Sequence, residues 1–219
     1  MNKLGVSIEI PGLGPRKFST ILSDYTGTLS VDGKLTAGVR EALLELATRL
    51  DIHVLTANTF GTAEEELRGI PLDMKSLKGP GTDHDVQKRQ FLSGFNAREV
   101  IALGNGNNDR LLLKAVKEGG GLSIAVDNGE GCAVDSIQSA NVFIHGASKA
   151  LELFTSALRW LDCRRLERIE NAPIGHRRVR NLIVELLKKS IGFLVPHFDL
   201  SRVSLVDGRT QLPKCRWSS

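Results

Sequence analysis

The sequence predicts an α/β fold with a doubly wound, mainly parallel sheet. Over the first 150 residues, short apolar runs alternate with segments of helical periodicity. The apolar runs are nearly continuous, which is typical of strands that helices cover on both faces. The chain of 219 residues is also long enough to bury such a core without disulfides or a structural metal.

The predicted elements follow one another in the order that this fold requires. Strands are predicted at residues 18–23, 52–55, 99–103, 122–126 and 141–144, and helices at 39–50, 62–67, 86–92 and 110–116. Because helices separate the strands, the sheet is predicted to be Rossmann-like. Residues 6–10 alternate between apolar and polar side chains and are a candidate for one more strand at the sheet edge.

The chain divides into two parts of different charge. Residues 1–150 hold 16 basic and 18 acidic side chains, a balance of −2, whereas residues 151–219 hold 13 and 7, a balance of +6. We predict one domain at residues 1–155 and a basic, mostly helical C-terminal extension at residues 156–219. Helical periodicity over residues 179–194 predicts a helix that either packs on the main domain or another subunit, or presents a basic face to an anionic partner.

Composition excludes several classes of protein. No run of 18 apolar residues occurs, so a membrane span is not expected. Cys132, Cys163 and Cys215 are far apart and lack a CxxC pattern, which predicts reduced thiols in a cytoplasmic protein and not a disulfide framework or a zinc site. Nucleic acid is not expected as a partner except through the basic extension.

Polar side chains follow the predicted strands at the points where they end. Asp24 follows the strand predicted at residues 18–23, Thr56 ends the one at 52–55, and residues 104–109 follow the one at 99–103. Lys88 lies early in the helix before that last strand. In open parallel sheets ligands bind beyond the carboxyl ends of the strands, so these side chains are expected to meet in one crevice.

One part of this set suits a phosphoryl group. The Lys88 amine, the Thr56 hydroxyl and the loop at Gly27 and Thr28 offer the positive charge and the donors that a phosphate needs. Asn58 either contacts the substrate or caps the helix that begins near residue 62. Two lysines in the preceding loop are alternatives to Lys88, namely Lys75 and Lys78.

Another part of the set suits a hard cation such as Mg²⁺, which prefers oxygen ligands. Such ligands are available from Asp24, from a backbone carbonyl near Thr26, and from either Asn105 or Asp109. With its charge neutralised by a cation and an amine, the Asp24 carboxylate is able to attack phosphorus in line and form an aspartyl-phosphate.

These elements resemble the four motifs of the haloacid dehalogenase-like hydrolase superfamily. The Asp-x-Thr-Gly-Thr and Gly-x-Gly-x-Asn-Asp pair looks most like the phosphorylation domain of P-type ATPases, and the chain is similar to small soluble P-type ATPase-like phosphatases. The resemblance covers about residues 5–155. The motifs are, in order, Asp24-x-Thr26-Gly27-Thr28, Thr56, Lys88 and Gly104-Asn105-Gly106-Asn107-Asn108-Asp109.

The resemblance implies a role for each matching residue. Asp24 would be the nucleophile and would also bind Mg²⁺, and the Thr26 backbone carbonyl would be a further metal ligand. Thr56 and Lys88 would hold the phosphoryl group. The metal's water shell would be anchored by two residues of the last motif, Asn108 and Asp109.

Three positions depart from the pattern of this superfamily. Thr26 stands where its phosphatases usually have an acid/base Asp, and losing such a group costs on the order of 10²–10⁴ in rate. Asn105 stands where a metal-binding Asp is usual, so weaker metal affinity is expected. Tyr25 replaces the Lys of the transport ATPases. The implied function is a slow Mg²⁺-dependent phosphatase, and the alternative is a catalytically weak protein that binds phosphate or nucleotide and acts as a regulator.

The spacing of the motifs leaves no room for a cap domain. About 20 residues separate Ser30 from the second strand, and about 30 separate Thr56 from Lys88. An uncapped site favours a macromolecular phosphoester, or a homo-oligomer in which the extension covers the crevice. The expected partner is therefore a phosphorylated substrate, either a small molecule or a macromolecule.

Overall fold

The computed structural model describes residues 3–10, 13–57, 61–79, 81–170, 204–206 and 209–211. Its strands are β1 (Val6–Ile10), β2 (Gly14–Phe18), β3 (Thr20–Ser23), β4 (Ser30–Val31), β5 (Lys34–Leu35), β6 (Asp51–Thr56), β7 (Asp73–Ser76), β8 (Val100–Gly104), β9 (Leu122–Asp127), β10 (Val142–His145), β11 (Ser204–Val206) and β12 (Arg209–Gln211). Its helices are α1 (Val39–Ala47), α2 (Ala63–Glu66), α3 (His84–Leu92), α4 (Arg110–Glu118), α5 (Val134–Ser139) and α6 (Ala147–Glu170).

Six parallel strands form the central sheet in the order β10-β9-β8-β3-β6-β7. From β3 the chain first builds outward through β6 and β7, and it then returns to build β8, β9 and β10 on the other side. The order therefore reverses between β3 and β8, which is where such sheets bind their ligands. The predicted doubly wound, mainly parallel sheet is confirmed.

Apolar side chains on both faces of the sheet form the core. Every residue of β3 and β8 is buried, as the continuous apolar runs predict. Helix α4 buries Leu112, Leu113 and Val116, which share one helical face against the sheet. Burying a side chain of this size is worth about 1.5–3 kcal/mol. The sheet is thereby fixed between two helical layers, and the ends of its strands are fixed relative to one another.

The N-terminal segment is a strand, but the prediction that it lies at the edge of the main sheet is wrong. β1 pairs with β2 in an antiparallel hairpin, in which Val6 stands opposite Phe18. Both of these side chains are fully buried. The alternating pattern identified the strand, whereas its partner was decided by the turn that brings residues 14–18 back beside it.

The segments between the motifs are short. Residues 24–38 contain the small hairpin β4–β5, and the described residues between 57 and 83 contain α2, β7 and one turn of 3₁₀ helix. Neither described segment contains a cap domain, which agrees with the spacing in the sequence.

Contacts between residues divide the chain into two compact units, residues 1–158 and residues 159–219. In the second unit, β11 and β12 form an antiparallel pair. The helix predicted at residues 179–194 lies outside the described residues. Among the helices of the described part, none is both long enough and apolar enough to cross a membrane.

His53 lies on β6 among aromatic side chains at the edge of the core. Its ring centroid is 5.6 Å from that of Phe91 and 5.0 Å from that of Phe95. Its Nδ1 lies 3.4 Å from Oδ2 of Asp73 but makes no hydrogen bond in the described part of the chain. Burial lowers the pKa of His53, and this effect outweighs the opposite influence of Asp73 and Asp51.

Replacing His53 with Phe should make the protein less sensitive to acid. The folded state disfavours the charged imidazole, so the wild type should lose stability as the pH falls below about 6.5, the ordinary pKa of histidine. Unfolding by denaturant at pH 7.5 and pH 5.5 measures this loss for both proteins. The loss should be smaller in His53→Phe, and equal losses in the two proteins would contradict the expectation.

Candidate active site

The site lies where the strand order reverses. Asp24 follows β3, and its backbone N–H donates to the carbonyl of Leu103 on β8, at 3.0 Å. The loop of residues 104–109 follows β8 directly. Two segments that are about 80 residues apart in sequence therefore meet at one edge of the sheet, as expected for the carboxyl ends of adjacent parallel strands.

Lys88 connects these two segments through a buried ion-pair network. Its Nζ lies 2.8 Å from Oδ1 of Asp24 and 2.6 Å from Oδ1 of Asp109. Lys88 and Asp109 have no exposed surface, and Asp24 is 4% exposed. Of the three lysines considered from the sequence, Lys88 is the one bonded to Asp24 and Asp109, whereas Lys75 and Lys78 are exposed.

Two carboxylates share one ammonium group, so the network carries excess negative charge when all three groups are ionised. Burial raises the pKa of Asp24 to about 6; Lys88 opposes this rise and the nearby Asp109 carboxylate adds to it. Burial would lower the pKa of Lys88, but the Asp109 and Asp24 carboxylates together raise it above its ordinary value. The amine therefore stays charged, and Asp24 is the group whose ionisation is opposed by its surroundings.

The loop after β8 is shaped around Asp109. Oδ2 of this carboxylate accepts hydrogen bonds from the backbone N–H groups of Asn105 and Gly106, both at 3.0 Å. A Cβ atom at Gly104 would lie 2.4 Å from the Cβ of Asp109, so only glycine fits there. Because Oδ1 is bonded to Lys88, both oxygens of Asp109 serve to orient the loop and the amine.

The loop after Asp24 is held by its own backbone and by Asn105. The N–H groups of Gly27 and Thr28 donate to the carbonyls of Ser30 and Tyr25, so both amides take part in the loop's own turn. Gly27 has a φ of +75°, and a Cβ there would lie 2.2 Å from the amide nitrogen of Asn105. The buried Thr28 hydroxyl donates to Oδ1 of Asn105 at 3.1 Å. The contact of Gly27 and Thr28 with phosphate stays a prediction.

Tyr25, the residue after the predicted nucleophile, is directed away from the crevice into the core. It is 1% exposed, and its hydroxyl donates to the carbonyl of Gly33 in the hairpin β4–β5, at 2.8 Å. The same carbonyl accepts from the hydroxyl of Thr62 at 2.6 Å. Two side chains thus fix the hairpin beside the crevice.

The other predicted residues are placed as follows. Thr56 is the last residue of β6 and is buried, with its carbonyl accepting from the N–H of Leu77. Asn108 is half-buried, and its Oδ1 packs over Gly106. Thr26 is also half-buried and forms a bridge with Ser30. Asn58 lies outside the described residues.

The donor set at the crevice fits a hard cation better than a transition metal. Among the residues that the structure describes, no group of three His, Cys, Asp and Glu side chains is arranged to hold a metal ion. The ligands predicted for Mg²⁺, namely the Asp24 carboxylate, the Thr26 carbonyl and the Asn105 amide, are all oxygen ligands, and their binding of a metal stays a prediction. The excess negative charge of the network would also be neutralised by a cation.

One residue of the site was missed in the sequence. Asn128 follows β9, and its Nδ2 donates to the carbonyl of Thr28 at 2.7 Å. An asparagine after a predicted strand was a signal that could have found it, since β9 is adjacent to β8 in the sheet. The polar residues after the strand predicted at residues 122–126 are not part of the predicted site.

Comparison with solved structures identifies the fold. The chain is similar to the 3-deoxy-D-manno-octulosonate 8-phosphate phosphatase of Yersinia pestis, with a TM-score of 0.50 and 17% identity over 72% of this chain and 96% of that one. It is also similar to the cobalt-bound deoxy-D-mannose-octulosonate 8-phosphate phosphatase of Haemophilus influenzae, with a TM-score of 0.48 and 13% identity over 65% and 88% of the two chains. It is similar as well to the haloacid dehalogenase-like family protein SP0104 of Streptococcus pneumoniae, with a TM-score of 0.44 and 13% identity over 63% of this chain and 98% of that one.

The haloacid dehalogenase-like fold predicted from the four motifs is therefore confirmed. Membership of the P-type ATPase-like subgroup stays a prediction. No protein-family model matches the chain. In sequence, the chain is 46% identical over 39 residues to the uncharacterized protein MJ0072 of Methanocaldococcus jannaschii, which is 18% of this chain and 89% of that protein. The chain belongs to the same family as MJ0072.

Substitutions in the ion-pair network should change stability in opposite directions when metal is removed. Asp24→Asn leaves one carboxylate for one ammonium, so it should raise the free energy of unfolding at pH 8 by about 1 kcal/mol or more. Lys88→Met leaves two buried carboxylates without their partner and should lower it by about 3–5 kcal/mol. Denaturant unfolding in the presence of a chelator measures both.

A lysine outside the network provides the control. The side chain of Lys114 on α4 is 61% exposed, and its Nζ lies 3.9 Å from Oε1 of Glu118. Lys114→Met should change the free energy of unfolding by no more than about 0.5 kcal/mol. Equal destabilisation by Asp24→Asn and Lys88→Met would mean that repulsion between the two carboxylates does not matter.

Proposed function

We propose that this protein is a Mg²⁺-dependent phosphohydrolase that acts through an aspartyl-phosphate on Asp24. The observation that carries this proposal is the position of the Lys88 amine, 2.8 Å from Asp24 and 2.6 Å from Asp109 at the switch point of the sheet. A buried amine beside a carboxylate of raised pKa is an arrangement typical of reactive sites. The Yersinia protein of the same fold is a phosphatase, which supports the same class of reaction.

In the first step, an oxygen of Asp24 attacks the phosphorus atom of a phosphate ester. A bond forms between this oxygen and phosphorus as the bond between phosphorus and the ester oxygen breaks. The electron pair of the broken bond stays on the leaving oxygen, which takes a proton from water. The Lys88 ammonium lies against Asp24, where it also attracts the negative charge of the phosphoryl oxygens.

In the second step, water attacks the phosphorus atom of the aspartyl-phosphate. The bond between phosphorus and Asp24 breaks, inorganic phosphate leaves, and the carboxylate is restored. Thr26 has a hydroxyl where an acid/base carboxylate would take the proton of this water, so the step is expected to be slow. Thr56, at the end of the strand adjacent to β3, would contact the phosphoryl group.

Mg²⁺ would be held by the Asp24 carboxylate, the Thr26 carbonyl and the Asn105 amide oxygen. Asn108 and Asp109 would anchor its water shell, since both oxygens of Asp109 are already bonded to Lys88 and to backbone amides. The bound ion would supply positive charge to phosphoryl oxygens. The amide of Asn105 adds no charge, so weaker affinity for Mg²⁺ is expected than with a carboxylate there.

The substrate is a phosphorylated small molecule or macromolecule, because the described residues between the motifs form no cap that would restrict the crevice to small substrates. A role of the basic extension in binding nucleic acid or an acidic protein, or in covering the crevice of a homo-oligomer, stays a prediction. The same holds for a cytoplasmic location.

Asp24→Asn should abolish phosphatase activity. Without the nucleophile, hydrolysis of p-nitrophenyl phosphate should fall by about 10³-fold or more. Chelation of Mg²⁺ should abolish the activity of the wild type, and addition of Mg²⁺ should restore it. The control is Asp51→Asn, which removes the same charge at the opposite edge of the sheet, where Asp51 pairs with Lys3. Activity that survives Asp24→Asn undiminished would refute the nucleophile.

A second candidate function is a regulatory protein that binds phosphate or nucleotide and turns it over negligibly. The observation that favours it is Thr26 in place of an acid/base residue. This candidate predicts tight binding of the ligand to the wild type without measurable release of phosphate.

Thr26→Asp distinguishes the two functions. If only the acid/base group is weak, the carboxylate should raise the rate of phosphate release by about 10²–10⁴-fold. Thr26→Asn has nearly the same shape as the Asp variant without its acid/base group, and it should leave the rate near that of the wild type. Rates that stay negligible in both variants would favour the regulatory protein.

A further inference from the structure

We propose that Asn128 is a positioning residue that holds the loop after Asp24 in the geometry required for reaction. The loop, here called the nucleophile loop, comprises residues 24–30. Asn128 touches none of the reacting groups, and it acts through the backbone of this loop. The consequence for catalysis rests on the proposed phosphatase function, whereas the effect on the loop itself does not.

The side chain of Asn128 binds two separate parts of the chain. Its Nδ2 donates to the carbonyl of Thr28 at 2.7 Å and to the carbonyl of Gly27 at 3.3 Å. Its Oδ1 accepts from the N–H of Ala147, the first residue of α6, at 2.8 Å. Because one end of the amide faces carbonyl oxygens and the other faces an N–H group, its orientation is determined by its partners.

These contacts add to the hydrogen bonds that the nucleophile loop makes within itself. The N–H groups of Gly27 and Thr28 are used inside the loop, where they bond to the carbonyls of Ser30 and Tyr25. The carbonyls of Gly27 and Thr28 are directed to Asn128 instead. The carbonyl proposed to bind Mg²⁺, that of Thr26, is one peptide unit away from the carbonyl of Gly27, so a change at Asn128 reaches the proposed metal ligand directly.

Only an amide makes all of these contacts. A carboxylate at position 128 would still accept from Ala147, and its negative charge would suit the N-terminal end of α6. However, it has no hydrogen to donate and would place a negative oxygen against the carbonyls of Gly27 and Thr28. Asn128→Asp therefore keeps the contact with the helix and removes the contact with the nucleophile loop.

The test compares Asn128→Asp with a matched variant, Asn141→Asp. Asn141 precedes β10, at the amino ends of the strands and not at the carboxyl ends where the crevice lies. Its Oδ1 accepts from the N–H and the hydroxyl of Ser123, both at 3.0 Å. A carboxylate keeps these acceptor contacts. With p-nitrophenyl phosphate and Mg²⁺, Asn128→Asp should lower kcat by about 10–100-fold and raise the Mg²⁺ concentration for half-maximal rate.

In Asn128→Asp the KM for p-nitrophenyl phosphate should stay close to that of the wild type, whereas the melting temperature should fall because two carbonyls lose their donor. All four quantities should stay close to the wild type in Asn141→Asp. A wild-type kcat in Asn128→Asp, or an equal loss of kcat in both variants, would overturn the positioning role. A role limited to the start of α6 would leave kcat and the Mg²⁺ dependence unchanged.

Hydrogen exchange of the backbone amides tests the loop independently of activity and of any change in melting temperature. Peptides that cover residues 24–30 should exchange faster in Asn128→Asp than in the wild type, relative to the rest of residues 1–158, while Asn141→Asp should leave these peptides unchanged. Unchanged exchange in the nucleophile loop would overturn the inference. A wild type without phosphatase activity would instead overturn the proposed function, and the exchange measurement would still decide the role of Asn128.

Discussion

The structure depends on one buried ammonium group placed between two carboxylates. Lys88 is the one positive charge of this network, and it connects the end of β3 to the loop after β8. A charge is buried at a cost of several kcal/mol unless it is well paired, so the three side chains have to be brought together by the fold. The parallel sheet brings them together, because burial of its apolar faces stabilises the fold whether or not the crevice is occupied.

The same three side chains oppose the ionisation of Asp24, and this favours a reaction that neutralises its charge. Burial and the neighbouring Asp109 keep the Asp24 carboxylate in an unfavourable state, and a cation or a phosphoryl transfer would relieve it. The backbone around the network leaves little freedom for the residues to rearrange. Glycine is required at position 104 by the side chain of Asp109 and at position 27 by the side chain of Asn105.

Much of the sheet and of the site followed from local sequence, and the remainder depends on contacts distant in sequence. Continuous apolar runs predicted five strands of the sheet, whereas β7 was missed because it is short and mostly exposed. The choice of Lys88 over Lys75 and Lys78 needed the structure, since spacing alone does not tell which amine enters a crevice. The role of Asn128 could not be predicted from local sequence, because its partners in the nucleophile loop are 100 and 101 residues away.

The position of Tyr25 has a practical consequence for spectroscopy. It is the single tyrosine of the chain, it follows Asp24 directly in sequence, and its buried ring is bonded through its hydroxyl to the hairpin β4–β5. Protein made with 3-fluorotyrosine would therefore give one ¹⁹F resonance, with no assignment needed. Its chemical shift would report the state of the contact between Tyr25 and the hairpin β4–β5 in the intact chain.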